Sequence, residues 1–81
     1  MQEKKMQENK MEQLFKELIE GQREKMLAFA QEVVGNITEE DLLQPQDYPA
    51  LENHPYFRYE EGVLEGLLTA QMAIKSRRFV L

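Results

Sequence analysis

Hydrophobic residues between Met11 and Ile37 recur at the spacing of an amphipathic helix. Steps of three and four residues alternate, which places these residues on one face when successive residues are separated by about 100°. The face comprises Phe15, Ile19, Gln22, Met26, Phe29 and Val33, and it is widened by Met11, Leu18, Ala30 and Ile37. Charged residues occupy the opposite side. The pattern predicts a long helix over residues 11–37 with a coiled-coil type of seam.

A second helix is predicted over residues 55–76. Pro55 suits its first position, where a backbone N–H would lack a partner in any case. Bulky apolar residues form a broad face, but a neighbouring column has only small side chains, namely Gly62, Gly66, Thr69 and Ala73. A glycine inside a helix costs about 1 kcal/mol relative to alanine, so we expect another helix to pack closely on this column.

The connector, residues 36–54, contains short helical signals and many apolar residues. Thr38 and Asp41 have the spacing of a capping box, and prolines follow at positions 45 and 49. An apolar connector of this length is not typical of a flexible linker. We therefore expect it to cover one end of the helix pair and to bury Leu42, Leu43 and Leu51.

These elements predict an all-α protein, an antiparallel helical hairpin with a structured connector. Residues 11–76 form its single domain. Residues 1–10 are polar and are expected to be a frayed or helical extension, and residues 77–81 form a basic and apolar tail. A chain this short buries a limited share of its surface, so two hairpins are expected to pair into a four-helix homodimer.

Two glutamines interrupt the apolar faces of the predicted helices. Gln22 and Gln71 are expected at the same height if the hairpin is hinged at the connector. A buried amide without a partner costs a few kcal/mol. The two side chains are therefore expected to form a core polar pair, hydrogen-bonded to each other or to symmetry copies in a dimer.

Charge and composition disfavour several classes of partner. The 81 residues include 15 acidic and 10 basic residues, for a net charge of −5, which opposes binding to nucleic acid or to anionic lipid. There is no cysteine, no apolar run long enough to span a membrane and no apolar core of a signal peptide near the start. We expect a cytoplasmic protein with no membrane partner.

Candidate catalytic chemistry is weak. The single histidine, His54, precedes Pro55 in a turn, where a capping or surface role is the ordinary one. Two sets of glutamates have the spacing of metal ligands, namely Glu17, Glu20 and Glu24, and Glu60, Glu61 and Glu65. Only Glu60 faces the apolar side, and one carboxylate is not a metal site. We expect no catalytic residue, no metal, no cofactor and no enzymatic activity.

Interaction residues are predicted at three places. The first is the small-residue column. The second is the aromatic group at the start of the last helix, because aromatic residues and arginine are frequent anchors of protein interfaces. The alternative for this group is that the aromatic side chains fill the open end of the helix pair. The third is the tail. The candidates of the aromatic group are Tyr56, Phe57, Arg58 and Tyr59, and those of the tail are Arg77, Arg78 and Phe79.

The sequence thus predicts a small acidic protein–protein interaction module that self-associates and acts as an adaptor, co-chaperone or regulator. The alternative is a nucleic-acid-associated regulator that uses the basic residues Lys75, Arg77 and Arg78, which the net charge opposes. A metal- or nucleotide-dependent all-α enzyme is a third and weaker alternative.

Overall fold

The computed structural model describes residues 2–76, and their side chains from residue 10 onward. Helix α1 spans Gln2–Val34, α2 spans Pro49–Glu52 and α3 spans Pro55–Ser76. Two 3-10 turns, Asp41–Leu43 and Pro45–Asp47, lie between α1 and α2. The described residues contain no β-strand. The prediction of an all-α hairpin with a structured connector is confirmed.

Helix α1 ends three residues earlier than predicted because Gly35 adopts a conformation that stops it. The φ angle of Gly35 is +80°, in the left-handed region that favours glycine. Its amide still donates to the carbonyl of Gln31 at 3.0 Å, and the amide of Ile37 donates to the carbonyl of Gly35 at 2.8 Å. At the other end the helix begins at Gln2, so residues 2–10 of the polar segment continue it.

The connector begins with a reciprocal cap. The amide of Thr38 donates to Oδ2 of Asp41 at 3.0 Å, and the amide of Asp41 donates to Oγ1 of Thr38 at 3.3 Å. This is the capping-box geometry, with aspartate in place of the usual glutamate. The carboxylate of Asp41 accepts bonds from both the amide and the hydroxyl of Thr38, each at 3.0 Å, and these bonds lower the pKa of the Asp41 carboxyl.

The prediction that three connector leucines are buried is correct for one of them. Leu51 of α2 is fully buried and Leu42 is half-buried, but Leu43 is 78% exposed. Leu42 and Leu43 are neighbours in a 3-10 turn, in which successive side chains point about 120° apart. When Leu42 faces the core, Leu43 must therefore face away from it.

Helix α3 starts at Pro55 and is capped by His54. Nδ1 of His54 accepts a hydrogen bond from the amide of Tyr56 at 3.2 Å, the position that N-cap side chains commonly serve. The carbonyl of His54 accepts the first bond of the helix, from the amide of Arg58 at 3.0 Å. The histidine is thus part of the helix terminus.

The register of α1 against α3 differs from the predicted one. Nε2 of Gln22 donates to the backbone carbonyl of Glu60 at 3.0 Å, whereas Gln71 lies near Lys16 at the far end of the pair. The predicted bond between Gln22 and Gln71 is therefore not formed within the chain. The connector packs against the last turns of α1, so α3 begins beside Phe29 rather than beside Ile37, about 12 Å along the helix axis.

The core lies at the connector end of the molecule. Its buried members are Met26, Ala30, Ile37, Leu51 and Phe57. The ring of Phe29 packs edge-on against His54 and Tyr56, with centroid distances of 4.8 Å in both cases. The molecule measures 49 × 21 × 17 Å, so away from the connector it is a single layer of two helices.

Candidate interaction surface

A buried polar cluster joins the two long helices next to the connector-end core. Glu60 of α3 is only 2% exposed, and its Oε2 lies 2.8 Å from Nζ of Lys25 of α1. The hydroxyl of Tyr56 donates to the same oxygen at 3.3 Å. The side-chain amide of Gln22 donates to the backbone carbonyl of Glu60. Glu60 therefore anchors α3 to α1 through both its side chain and its backbone.

The charges in this cluster compensate one another. The Lys25 ammonium donates to the Glu60 carboxylate and lowers its pKa, against the opposing effect of desolvation. The same hydrogen bond raises the pKa of Lys25. The pKa of the neighbouring Glu61 is shifted in the opposite direction from that of Glu60, because partial burial raises it. Glu60 was predicted to face the apolar side, but its lysine partner was not predicted.

Beyond this cluster, the end of the helix pair opposite the connector buries little. Ile19 is the only buried hydrophobic residue of α1 between residues 10 and 25, and α3 contributes none after Phe57. Yet α1 exposes three large apolar side chains here, with Leu14 at 53%. On α3 seven apolar residues after Phe57 are half-buried, and four of them, spaced three and four residues apart, form one stripe. The set, which we term the distal face, is Met11, Leu14, Leu18, Val63, Leu67, Ala70 and Ile74.

The two halves of the distal face lie on the same side of the hairpin. At about 100° per residue, Leu14 and Leu18 project from the side of α1 that carries Lys25. Glu60, which Lys25 contacts, lies on the side of α3 that carries Leu67 and Ile74. Because the helices are antiparallel, the two apolar stripes run next to each other along the open side of the molecule.

Leu14 is the member of this face that sequence reasoning missed. It does not belong to the predicted seam of α1, and it is the large apolar residue that stands apart from that stripe at the start of the helix. An apolar residue off the core stripe of an amphipathic helix is a signal of a second contact surface.

The small-residue column borders the distal face on α3. Gly62, Gly66 and Thr69 are exposed and Ala73 is half-buried. A Cβ atom placed on Gly62 or Gly66 would meet nothing within 4 Å. The close approach predicted for this column is therefore not made by any described element of the same chain.

The aromatic candidates separate into core and surface residues. Phe57 is 0% exposed and packs in the connector-end core, so of the two roles considered for the aromatic group it has the core one and offers no surface to a partner. Phe57 is buried because the register brings it beneath the connector. Tyr56 is partly exposed, Arg58 is exposed and Tyr59 is 68% exposed. The tail candidates Arg77, Arg78 and Phe79 lie outside the described residues.

An apolar groove, which we term the connector groove, lies between α1, α3 and the first 3-10 turn. Its volume is about 330 Å³, and Met26, Leu42, Leu43 and Leu64 form its apolar wall. Arg23, Glu39 and Glu40 border it. A shallow depression next to it is formed by Glu20, Arg23, Glu24 and Glu39, so one side of the groove is acidic.

Two further properties concern membranes and metals. Among the described helices, none combines enough length with enough apolar character to cross a bilayer. Within the same residues, no three histidine, cysteine or carboxylate side chains are grouped closely enough to hold a metal ion.

The chain was also compared with known proteins. No family model, no curated protein and no solved structure matches it. The fold and its surfaces therefore define the class, a two-helix hairpin with a folded connector, and any function must be inferred from those surfaces.

Proposed function

We propose that this protein is a small helical interaction module that forms a homodimer and acts through that dimer as an adaptor, co-chaperone or regulator of another protein. The observation that carries the proposal is the distal face. The connector supplies a third layer at one end of the helix pair, but at the other end the described chain provides no covering element.

The size of the uncovered surface favours a partner. Burying one large apolar side chain fully contributes about 1.5–3 kcal/mol relative to leaving it exposed. The three α1 residues of the face are all more than 40% exposed, and four α3 residues add to them. Burying this set at an interface would contribute several kcal/mol to the free energy of association. That is large compared with the free energy of unfolding expected of an 81-residue chain.

A second copy of the hairpin fits the shape of the surface. Two layers of two helices, packed face to face, would give a four-helix arrangement in which the distal face of each helix pair is covered by the other pair. The small-residue column at the edge of the face would let a helix of the second copy approach the α3 backbone closely. Both features are then used by one interface.

The proposal is tested by the mass of the particle in solution. We expect light scattering coupled to size-exclusion chromatography to show a dimer for the native chain. Leu18→Glu should place a charge in the centre of the interface and weaken dimerisation by roughly a hundredfold, because burying an unpaired charge costs several kcal/mol. Circular dichroism would verify that the variant remains helical.

Gln46→Glu is the matched control. It also adds one negative charge, but Gln46 is exposed in the connector, at the other end of the molecule. It should dimerise like the native chain. A native chain that stays monomeric at millimolar concentration would overturn the proposal, and equal dimerisation of Leu18→Glu would show that the distal face is not the interface.

A further inference from the structure

The connector groove lies on the side of the hairpin opposite the distal face. Arg23, which borders the groove, precedes Lys25 by two residues on α1, a rotation of about 200° around the helix. Lys25 marks the side of α1 from which the distal face projects. In the face-to-face dimer proposed above, the two grooves would therefore point outward, and each would stay accessible to another molecule.

The edge of the groove carries an apolar side chain that the connector holds in place. Leu43, at 78% exposure, is the most exposed large hydrophobic residue of those described. Its amide donates to the carbonyl of Glu40 at 3.1 Å, within the turn that begins at the cap between Thr38 and Asp41. An exposed apolar side chain on a hydrogen-bonded turn is suited to contact with a partner, because its backbone needs little further ordering on binding.

Carboxylates surround one side of the groove. The acidic rim, defined as Glu20, Glu24, Glu39 and Glu40, carries four carboxylates beside Arg23. All four are exposed, and none forms an ion pair with another described residue. A cation at this rim would gain favourable electrostatic energy without displacing a cation already bound there, whereas an anion would be repelled.

We propose that the connector groove binds a short basic and apolar segment of another protein. One or two large apolar side chains of that segment enter the groove against Met26, Leu42 and Leu64, and neighbouring lysine or arginine side chains face the acidic rim. The volume of about 330 Å³ is at the small end of the range for ligand sites and suits so few side chains. The inference deepens the proposed adaptor role, on which it rests, by giving the chemistry of the partner.

A synthetic peptide tests this chemistry. The probe is Lys-Lys-Ala-Leu-Phe-Ala-Lys-Lys with blocked ends, which places two large apolar side chains between pairs of cations. It is titrated into the isotope-labelled native chain at physiological ionic strength, and backbone amide signals are followed by NMR. We expect saturable shifts at Arg23, Leu43 and Leu64. Shifts that do not saturate, or that are confined to Leu14 and Leu18 of the distal face, would contradict the inference.

Two altered peptides separate the contributions of charge and apolar contact. Replacing the four lysines by glutamines should raise the dissociation constant roughly tenfold or more, and so should replacing the Leu-Phe pair by two alanines. Equal affinity of the glutamine peptide would mean that the groove takes a neutral apolar occupant. Equal affinity of the alanine peptide would mean that the contact is made by charge alone. Either result overturns the inference.

Charge reversal in the protein tests the acidic rim. Glu39→Arg with Glu40→Arg should weaken binding of the lysine peptide roughly tenfold or more. A peptide with glutamates in place of the lysines should bind this variant better than it binds the native chain. Glu12→Arg with Glu32→Arg is the matched control, since both residues are exposed and neither lines the groove or its rim. Equal losses in the two variants would show attraction by net charge only, against the inference.

Two single variants separate the groove from the proposed dimer. Leu18→Glu, which disrupts the distal face, should bind the lysine peptide with the native dissociation constant, because the groove lies on the other side of the hairpin. Leu43→Ala should lose most of the peptide affinity and still form the dimer. If Leu43→Ala abolishes the dimer instead, a second copy occupies the groove and the inference is wrong.

The two proposals can therefore fail independently. A native dimer that does not bind the lysine peptide overturns the groove inference and leaves the distal-face dimer standing. A native chain that is monomeric at all concentrations and binds the peptide at the groove overturns the dimer and supports the groove.

Discussion

Glu60 is the residue on which the register of the hairpin depends. Its carboxylate is held by Lys25 and Tyr56, and its carbonyl is held by Gln22. Sliding α3 by one turn would separate Glu60 from Lys25 and Gln22 of α1 and leave a buried carboxylate without a cation, which is costly in a protein interior. A polar cluster in an otherwise apolar seam can therefore select one alignment, as a buried asparagine does in coiled coils.

This cluster should make the protein sensitive to acid. The pKa of Glu60 is lower in the folded state than in the unfolded state, so the unfolded chain binds protons more readily as the pH falls. The stability that Glu60 contributes is therefore complete above the ordinary carboxyl pKa of about 4.3 and is lost below it. Urea unfolding between pH 6 and pH 3 would measure this loss.

Two variants isolate the contribution of Glu60. Glu60→Gln should lower stability at pH 6 and make the acid-side loss shallower; part of that loss will remain because the pKa of Asp41 is also lowered. Glu61→Gln should not make the loss shallower, because the pKa of Glu61 is raised and its protonation favours the folded state. An identical acid response in Glu60→Gln and the native chain would contradict the assignment.

At the scale of the element, α3 has the most informative pattern. Its broad apolar arc includes residues that face α1, residues of the distal face and the adjacent small-residue column. One neighbouring helix shelters only the first group. The two glycines of the column have open space beside them within the single chain, so in a monomer they reduce helix stability without a packing gain.

Replacing Gly66 by alanine gives a test at this scale. Gly66→Ala should stabilise the folded monomer by about 1 kcal/mol, since alanine favours the helix and its Cβ meets no described atom within 4 Å. If a second copy packs closely on the column, the same change should weaken dimerisation. Thermal unfolding at low concentration and the dimer dissociation constant measure the two effects separately.

Gly35→Ala is the informative comparison. The φ angle of +80° at Gly35 is unfavourable for alanine, so this change should destabilise the protein by about 1–2 kcal/mol even though space is available. If Gly66→Ala instead lowers stability as Gly35→Ala does, Gly66 does not have open space beside it in the folded monomer.

At the scale of the whole molecule, the chain is elongated. Its radius of gyration is 15.6 Å, whereas a compact domain of this length would have a value of about 12 Å. The core is concentrated at the connector end, and the remainder is a two-helix layer. A structure of this kind has marginal stability alone, and association can supply a substantial part of the total.

The melting temperature should therefore depend on protein concentration. For a dimer that unfolds to monomers, a tenfold increase in concentration adds about 1.4 kcal/mol of stability, which corresponds to roughly 5 °C for a chain of this size. Calorimetry at 10-fold and 100-fold dilutions of one stock measures the shift. A melting temperature that is independent of concentration would indicate that the native particle unfolds as a monomer.

The sequence by itself determined the secondary structure of this protein. Apolar spacing defined both long helices, and Pro55 marked the start of α3. The cap between Thr38 and Asp41 was also readable. All of these features depend on interactions between residues close in the chain, so their signals are local.

The tertiary structure alone decided how the helices align and what remains exposed. The predicted pairing of Gln22 with Gln71 assumed that α3 begins level with the end of α1, but the connector occupies that space. Glu60 therefore meets Gln22 and Lys25, Phe57 enters the core, and Leu43 is left outside. The volume of a folded connector, and which of its two adjacent leucines turns inward, depends on contacts between distant segments, which residue spacing does not specify.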